Sequence, residues 1–589
     1  MKKSVSALIL VLASGALSYA QTMEDAILIS SNNYSGSAKT IGLANAVTAL
    51  GGDLGTIGIN PAGSAVAGYS QFTITPSYAI SSTNSAYAPS YRILWNDPSA
   101  SETQTFGISN KESKMRFTMP DIGFTLRFDS GRKYGLKSYT FGFVSNQTAQ
   151  FNYSSSAGGN NSLSTMSGCL ASYATADGLP AKVLSFDNRY GSQFNWNEVV
   201  AYHGGLINYN DDAGSYFGSA ENVSFDGTRY SYGLKGTLFQ NSSIVKSGSK
   251  NDILINLGFN FNDNLFIGTN LGLPIMKYRY DEYYSEAAAS DPSDFIVSPE
   301  YYGSDGKYHK ASPTNFRSAS YEYVYTSDID GIYLSLGAIW LPVNNLRLGA
   351  SFRTPTLYTI TETYQSFVNT GFAYGVENAY TELGEYKYCL RSPYVFDFGA
   401  AYTFGPLGLI SVDYEVNDFS VMEYSTLYEN ANKSSSSIFD KVNKINSRFC
   451  GASRSLRIGA EVKLLPQLAV RAGYSFVTDP RRHCTDNLGN VVDASWYDNY
   501  FQDYEGGVIR LNDDWKYSSD KVRAFSLGLG YVSGNAFFAD FAVRMTSYPE
   551  KNFCPYGCYI DNEDVTVMAP TLRTNPKLFD VALTLGWRF

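Results

Sequence analysis

The sequence predicts an all-β protein, a transmembrane antiparallel β-barrel of about fourteen strands with an N-terminal hatch inside its lumen. Three observations lead to this fold class. Short segments alternate strictly between apolar and polar residues, short and long connections alternate between these segments, and a stretch near the N-terminus carries no strand pattern.

The end of the chain, residues 578–589, shows the alternation over a full strand. From Phe579 to Phe589 every second residue is apolar, and the residues between them, Asp580 to Arg588, are small or polar. A tilted strand of about 9 to 11 residues crosses a bilayer, and its apolar face then meets lipid. Taken alone, the segment also fits an inner strand of a soluble β-sandwich. Its terminal aromatic residue resembles the signal read by the barrel assembly machinery, which we therefore expect as a partner.

Similar alternating runs recur along the chain and, with the terminal strand, bring the count to about fourteen. An even number suits a single-chain bacterial barrel, because both ends then lie on the same side of the membrane. The other runs are residues 72–80, 122–128, 139–143, 253–261, 265–273, 332–340, 346–352, 394–404, 410–416, 456–464, 468–476, 525–531 and 537–545.

The connections give an independent reason for the membrane barrel, since turns and long polar loops alternate without a break. Outer-membrane barrels keep short turns in the periplasm and long loops outside, whereas a soluble sandwich has no reason for this parity. The loop at 152–250 is too long for an ordinary connection, so we expect it to be ordered into a cap or to be at least partly functional. Short turns fall at 129–136, 262–264, 342–345, 405–407, 465–467 and 533–535, and long loops at 81–115, 152–250, 282–318, 365–384, 425–452, 478–520 and 549–575.

The first twenty residues read as an export signal. Lys2 and Lys3 precede a short apolar run, and Ser18-Tyr19-Ala20 offers a signal-peptidase site, so the mature chain should begin near Gln21. We therefore predict a signal peptide at 1–20, the hatch at 21–69 and the barrel with long extracellular loops at 70–589. The predicted location is the bacterial outer membrane.

Composition agrees with a membrane barrel and excludes some other classes. The chain has 47 Tyr, 36 Phe and 52 Gly with 17% charged residues, which suits aromatic girdles, tight turns and a polar lumen. Its net charge of -9 is spread along the chain without a Lys/Arg stripe, so nucleic acid is not an expected partner. Only three histidines occur, all in predicted loops, and no serine–histidine–carboxylate set shares a strand face, so we expect no enzyme and no cofactor.

Six cysteines in an exported chain suggest disulfides. Cys554 and Cys558, in C-P-Y-G-C, are the easiest local pair. A metal site is the alternative for this pair, but no histidine or second close cysteine pair accompanies it, so we predict no metal.

Residues 21–69 are rich in Gly, Ala, Ser and Thr and contain two predicted turns. One is Gly51-Gly52-Asp53 and the other is Asn60-Pro61-Ala62-Gly63, where Pro61 fixes its own φ and Gly63 can take a positive φ. Since eight strands already fill a barrel with side chains, a lumen of about fourteen strands must be a pore or be plugged. We expect this segment to lie inside and to bond to inward-facing residues, which include Asp397, Asp413, Arg457, Glu461, Arg471, Asp540 and Arg544.

With these features the chain resembles the FadL-type outer-membrane transporters of long-chain fatty acids and other hydrophobic compounds, the FadL/TodX family. The resemblance rests on Asp53 and Asn60-Pro61-Ala62 in an exported N-terminal segment, on the strand count and on the terminal aromatic residue. It implies capture of a hydrophobic ligand outside, an apolar site within the barrel, and lateral exit into the membrane at a kinked third strand. The outer loops are longer than is usual in the family, which puts the mode of capture in doubt.

Two sets of residues are then candidate sites. Asp53, Asn60, Pro61, Ala62 and Gly63 would form a ligand-gating hatch, although Asn60–Gly63 can also be a plain structural turn. Ser145, Asn146, Gln147 and Thr148 interrupt the third strand's alternation and would form the lateral opening, although they can equally mark the outer membrane boundary.

The predicted function is transport of hydrophobic compounds, with a hydrophobic small molecule and outer-membrane lipid as partners and a monomer as the working form. The alternative is a non-transporting outer-membrane barrel whose long loops bind a surface partner or ligand.

Overall fold

The structure is a computed structural model. It describes residues 22–94, 102–185, 190, 194–303, 305–427, 438–485, 491–492, 510–512, 521–534, 536–557, 559–562 and 565–589. The predicted signal peptide, residues 1–20, lies outside the described residues.

Fourteen strands form the barrel, and each coincides with one of the predicted alternating runs to within one residue at the ends of the run, or extends beyond it. Five of them continue past a bulge or bend as a second segment. The strands are β1 (Gln71–Ala88), β2 (Asn110–Asp129), β3 (Leu136–Gln150, continued by Tyr153–Asn161), β4 (Leu238–Phe261), β5 (Leu265–Ala288), β6 (Thr314–Val343), β7 (Leu346–Arg353, continued by Leu357–Phe372), β8 (Gly384–Arg391, continued by Val395–Thr403), β9 (Gly408–Asp418, continued by Glu423–Ser425), β10 (Ala452–Leu465), β11 (Leu468–Thr478), β12 (Lys521–Ser533), β13 (Phe537–Ser547, continued by Lys551–Phe553) and β14 (Thr571–Arg588).

The barrel is closed because every strand pairs antiparallel with the next and β14 pairs with β1. The closing register sets Phe72 opposite Trp587 and Ile74 opposite Leu585. Just below it, Ser70 and Phe589 exchange two backbone hydrogen bonds of 3.0 and 3.1 Å. Both ends of the barrel therefore lie at the same rim, as the even strand count predicts.

The two faces of the barrel wall differ as alternation requires. In β14, Phe579, Leu583 and Trp587 are exposed outward, whereas Asp580 and Thr584 are buried inside. In β6 the outward row from Ile332 to Trp340 is apolar, and the next outward residues toward the loops are Asp330 and Asp328. The outer wall thus carries an apolar belt that fits the hydrocarbon layer of a bilayer.

Several strands run far beyond this belt. β4 and β5 each have 24 residues and β6 has 30, more than twice what a membrane crossing needs. Parts of the loops predicted at 282–318 and 365–384 are therefore strand. Shorter strands outside the barrel are Tyr91–Leu94, Ile207–Asn210, Ser215–Gly218, Asn222–Phe225, Tyr230–Gly233, Ile296–Val297, Glu300–Tyr302, Tyr308–Lys310, Gly375–Tyr380, His483–Thr485, Val491–Val492, Arg510–Asn512, Tyr559–Asn562 and Val565–Met568.

The helices lie in the N-terminal segment, which we define as residues 21–69, and in the loops. No helix of the described residues is long and apolar enough to cross a membrane. The α-helices are α1 (Met23–Ser30), α2 (Ala38–Gly42), α3 (Gly63–Val66), α4 (Met166–Ala176), α5 (Trp196–His203) and α6 (Asp440–Phe449), and the short 3-10 helices are Leu54–Thr56, Val183–Ser185, Pro292–Phe295 and Phe419–Val421.

The described residues between 162 and 237, which connect β3 to β4, form a cap that contains α4, α5 and two hairpins. Its core packs on the outer rim of the barrel against Tyr284, Phe316 and Val368. The predicted ordering of this long loop is therefore confirmed for the described residues.

Candidate functional site

The site begins where β3 leaves β2. The two strands pair from Asp129 and Ser138 up to Asp121 and Asn146, and there the pairing ends. Beyond that point residues 110–118 of β2 pair only with β1, and residues 149–161 of β3 pair only with β4. The outer halves of β2 and β3 therefore share no backbone ladder, and we call this interval the break.

Prolines and register shifts in β1, β2 and β3 explain why the pairing stops there. Pro76 in β1 and Pro120 in β2 lack an N–H for the ladder, and the β1–β2 register shifts between Thr75 and Ser77. In β3 the register with β4 shifts at Thr148, which has no opposite residue. A bulge bends its strand away from its neighbour, so the outer half of β3 parts from β2.

Where β2 no longer pairs with β3, the N-terminal segment hydrogen-bonds to the edge of β3 instead. The Ser35 N–H donates to the Gln147 carbonyl at 2.9 Å, and the Asn33 N–H donates to the Thr148 carbonyl at 2.6 Å. Gly58 lies so close to Asn146 that a Cβ on it would come within 2.8 Å of Nδ2. The predicted opening residues are thus brought together with the predicted hatch.

Side chains, in place of a backbone ladder, close the break. Lys114 Nζ in β2 donates to the Lys246 carbonyl at 3.4 Å, and the Arg116 guanidinium donates to the Gly248 carbonyl, so both bonds reach past β3 to β4. From the other side Asn152 Nδ2 donates to the Lys114 carbonyl at 3.0 Å. The remaining bridges run from Asn110 to Ser156 and from Ser154 to Glu112.

Next to the break the outer wall is strongly apolar. Met115 and Phe117 of β2 are 61% and 54% exposed, and Tyr78 of β1 packs edge-on to Phe117 with ring centroids 5.4 Å apart. A molecule that passed through the break would therefore meet an apolar surface.

Inside the barrel the break borders an aromatic chamber, and α1 occupies it. We define the chamber by Tyr278, Tyr325, Tyr358, Tyr388, Tyr424 and Phe439, which form one buried cluster with Met23, Ala26 and Ile29 of α1. Ala149 and Phe151, just past the bulge of β3, belong to the same cluster. The chamber also contains a carboxylate: buried Glu362 accepts hydrogen bonds from the Tyr325 and Tyr388 hydroxyls at 3.1 and 2.9 Å.

Helix α1 is held at both ends. Thr22 and Asp25 form a capping box at its start, and the Tyr424 hydroxyl donates to the Thr22 carbonyl at 2.9 Å. At its end the buried ammonium of Lys250 donates to the Ile29 and Ser31 carbonyls at 2.8 and 2.6 Å. The Lys250 contacts satisfy carbonyls that the C-terminus of a helix leaves without partners, whereas the Thr22 carbonyl also accepts from the Ala26 N–H.

The predicted turn at Asn60–Gly63 fastens the N-terminal segment to the wall. Asn60 Nδ2 donates to the carbonyls of Thr48, Ala338 and Ala350 at 2.7, 3.2 and 3.4 Å, so one side chain joins the segment to β6 and β7. The Pro61 carbonyl accepts from Asn256 of β4 at 3.0 Å.

The other three predicted hatch residues act within the segment or against apolar wall residues. Asp53 accepts hydrogen bonds from Ser37 and from the Gly55 N–H, so it orders the interior of the segment. Ala62 packs against Phe266 and Ile339 of the wall. Gly63 closes the turn by donating to the Asn60 carbonyl and then begins α3. The expectation that Gly63 takes a positive φ is wrong, whereas Gly51 and Gly52 have φ of 66° and 80°.

The predicted inward-facing charges divide into two groups. Asp413 accepts from the Thr48 N–H at 2.7 Å, and Arg544 donates to the Tyr34 carbonyl and the Ser35 hydroxyl, so both hold the N-terminal segment. The other five form ion pairs along the wall, Arg457 with Asp397 and Arg471 with Glu461 and Asp540.

Sequence reasoning missed α1 in its chamber, the bridging Lys114 and Arg116, and Lys250. Two signals were present, the Thr22–Asp25 capping box before an apolar run and the prolines at 76 and 120 inside strands. Lys114, Arg116 and Lys250 carry no signal, because each is one of many polar residues near a loop.

The predicted Cys554–Cys558 disulfide stays a prediction, because Cys558 lies outside the described residues. Cys554 Sγ lies 3.7 Å from the Thr571 hydroxyl. No group of three potential metal ligands occurs in the part of the chain that the structure describes.

No protein-family model and no curated protein matches the chain. Among solved structures, a Pseudomonas aeruginosa FadL homologue matches with a TM-score of 0.43 and 13% identity, over 94% of this chain and 98% of that one. The P. putida toluene transporter TodX matches with a TM-score of 0.42 and 10% identity over 94% and 98% of the two chains. The Ralstonia pickettii toluene transporter TbuX gives 0.37 and 12% over 93% and 97%.

TM-scores below 0.5 carry no argument about function, so the fold assignment rests on the strand pairing of this chain. Fourteen strands close around an N-terminal segment that bonds to the inner wall. This is the fourteen-strand barrel with an internal N-terminal segment that the sequence predicts.

Proposed function

We propose that this chain transports hydrophobic compounds, long-chain fatty acids or similar molecules, across the bacterial outer membrane. The ligand is captured at the extracellular face, enters the aromatic chamber and leaves sideways through the break into the membrane. The single observation that carries this proposal is the break itself, where side chains replace the backbone ladder beside a buried apolar chamber.

The kind of bonding at the break supports a gate. Opening a regular strand pair breaks a cooperative row of backbone hydrogen bonds and leaves polar groups in hydrocarbon. The bridges from Lys114, Arg116 and Asn152 are separate side-chain bonds, each worth about 1 kcal/mol. They can open one at a time while each backbone carbonyl keeps its place in its own strand pair.

The position of α1 supports a moving N-terminal segment. Because Met23, Ala26 and Ile29 fill the chamber, a ligand can occupy it only when α1 shifts. The same segment pairs with Gln147 and Thr148 at the break, so a shift of α1 would pull on the residues that border the exit.

The experiment changes the bridges and leaves the chamber intact. Cells that lack their own uptake of these compounds would produce the wild type, the double variant Lys114→Ala/Arg116→Ala, or the control Lys111→Ala, whose exposed side chain lies on the same strand. Labelled oleate, toluene and glycine would each be offered. Loss of two bonds of about 1 kcal/mol each permits up to about a thirtyfold rise in the open population.

We expect the double variant to take up oleate or toluene several-fold faster than the wild type, with glycine unchanged and the control equal to the wild type. The lateral route is overturned if the double variant reaches the membrane in wild-type amount and its hydrophobic uptake is unaltered. Separation of inner and outer membranes checks the location in the same cells.

A second candidate function is a non-transporting barrel whose loops bind a surface partner. Tyr374, Val376 and Tyr380, at a hairpin beyond β7, are 58%, 63% and 64% exposed, so they offer apolar side chains that a partner can cover. Wild-type uptake no higher than that of cells without the protein, for oleate and toluene alike, would favour this alternative.

A further inference from the structure

The cap carries a cleft whose walls belong neither to the aromatic chamber nor to the break. Its volume is about 390 Å³, within the range of small-molecule sites. The walls are the end of α4 with the residues after it, up to Lys182, the hairpin of Ile207–Asn210 and Ser215–Gly218, and Tyr302.

Three tyrosine rings give the cleft its apolar surface. The Tyr209 ring lies 5.0 Å from the Tyr216 ring at 61° and 6.2 Å from the Tyr302 ring at 45°. Tyr216 is fixed because its hydroxyl donates to the Leu179 carbonyl at 2.9 Å and its N–H donates to the Thr175 hydroxyl at 2.8 Å. The rings therefore form a preformed surface that needs no ordering when a ligand binds.

One carboxylate supplies the main polar group of the cleft. Asp211 accepts from the Tyr302 hydroxyl at 2.7 Å, and this hydrogen bond raises the pKa of Tyr302. An ionised carboxylate can accept about four hydrogen bonds, so Asp211 has capacity beyond Tyr302. Gly178 and Gly214, with φ of 65° and 62°, also line the cleft, and a Cβ on either would meet no atom within 4 Å. Open space thus lies beside the rings and the carboxylate.

The combination of rings and carboxylate selects a ligand class. A purely apolar compound would cover Asp211 without offering it a donor, which costs free energy. The wall carries charges of both signs, Asp211 and Lys182, so it offers the carboxylate head group of a fatty acid no net attraction. A saccharide satisfies both surfaces, because its hydroxyls donate to the carboxylate and its C–H face packs on an aromatic ring.

We propose that this cleft binds a neutral saccharide, a ligand different from the compound that the barrel transports. The sugar can be free in solution or the exposed unit of a surface glycan, since both present the same ring and hydroxyls. The size of the cleft suits one or two sugar units.

Binding would be measured on the full chain in a detergent without a sugar head group, by saturation-transfer NMR and titration. The probes are glucose, galactose, mannose, N-acetylglucosamine and maltose, and lipopolysaccharide vesicles against plain phospholipid vesicles form a second arm. The variants are Tyr209→Ala, Tyr209→Phe and Asp211→Asn, with Asp212→Asn as the matched control. Heat-modifiable migration on gels checks that each barrel is folded.

We expect at least one sugar, or the lipopolysaccharide vesicles, to bind the wild type. Tyr209→Ala should lower the affinity about tenfold through loss of the stacking ring, and Tyr209→Phe should retain it. Asp211→Asn should weaken binding and Asp212→Asn should not. Binding of free sugars assigns the free source, and binding of the lipopolysaccharide vesicles alone assigns the surface glycan.

The proposal is overturned if neither arm binds the wild type. It is also overturned if folded Tyr209→Ala and Asp211→Asn bind as the wild type does, or if oleate displaces the bound sugar. None of these readouts measures uptake, so a negative result for sugar binding does not bear on the transport proposal.

Discussion

Glycines on the inner wall let the N-terminal segment touch the strands directly. A Cβ at Gly337 would lie 1.9 Å from Asn60 Oδ1 and 2.8 Å from Pro61 Cδ, and a Cβ at Gly349 would lie 2.2 Å from the Thr48 carbonyl. Real Cβ atoms do not pack at such distances, so any larger residue must push the segment away. The Asn60 bonds to β6 and β7 exist because these positions are glycine.

Gly337→Ala should therefore loosen the N-terminal segment. The added methyl group displaces the Asn60 side chain from the Ala338 and Ala350 carbonyls, at a cost of about 1 to 3 kcal/mol for overpacking. The measurement is the rate at which a protease cleaves within residues 21–69 of the detergent-solubilised protein.

The matched control is Gly233→Ala in the cap, where a Cβ would meet no atom within 4 Å and the φ is not positive. We expect faster cleavage for Gly337→Ala and the wild-type rate for the control. Equal rates for all three proteins would show that contact at Asn60 does not hold the segment.

The structural role of a single residue was predictable from the sequence only where backbone conformation determines that role. The turns at Gly51–Asp53 and Asn60–Gly63 were predicted from their Gly and Pro residues, but the positive φ lies at Gly51 and Gly52 and not at Gly63. The role of Lys250 was not predicted, because its burial depends on α1, which lies far away in the sequence and nearby only in the fold.

At the scale of elements, α1 carries a titratable group into the barrel. Burial raises the pKa of Asp25 to about 6 from 3.8, although its hydrogen bonds from Thr22 act in the opposite direction. Glu24 also raises this pKa and Lys246 lowers it. Because the docked helix holds its proton more tightly than a free helix would, docking is most favourable below about pH 4 and weakens as the pH rises through 6.

Hydrogen exchange of the α1 amides, measured by mass spectrometry and corrected for intrinsic rates, should show stronger protection at pH 5 than at pH 7. Asp25→Asn should remove this dependence, since the amide stays neutral and its oxygen can still accept from Thr22. Glu24→Gln, at the exposed neighbour, should keep the dependence. Wild-type protection that is equal or weaker at pH 5 would contradict the burial of Asp25 in the docked helix.

The sequence reveals the part of each strand that lies within the apolar belt and does not reveal the part above it. Within the belt one face must be apolar because lipid covers it, so alternation is strict and all fourteen strands were found in phase. Above the belt water covers the outer face and tyrosines fill the inner one, as in β6, where the inward Tyr321, Tyr323 and Tyr325 alternate with the outward Glu322 and Val324. There the apolar–polar contrast disappears, and long strands look like loops.

At the scale of the whole molecule, different parts of the chain close the barrel wall and fill the lumen. The β14–β1 pairing joins residues 71–88 to residues 571–588 and involves no residue of the N-terminal segment. The lumen is filled by that segment, which bonds to Asp413, Arg544 and the backbone of β6 and β7. Fourteen strands enclose more space than their own side chains fill, so the segment acts as the plug.

Deletion of residues 21–69 should therefore leave a folded barrel with an aqueous path. We expect the variant to migrate on gels as a heat-modifiable barrel and to conduct ions in planar bilayers, whereas the wild type stays closed. The conductance should be insensitive to Lys111→Ala, whose side chain lies on the outer wall. A folded deletion variant that does not conduct would contradict the plug, and it would move the barrier to the cap and the outer loops. Conductance in the variant would place the barrier to ions in the N-terminal segment, which must then move, together with the opening of the break, for a ligand to pass.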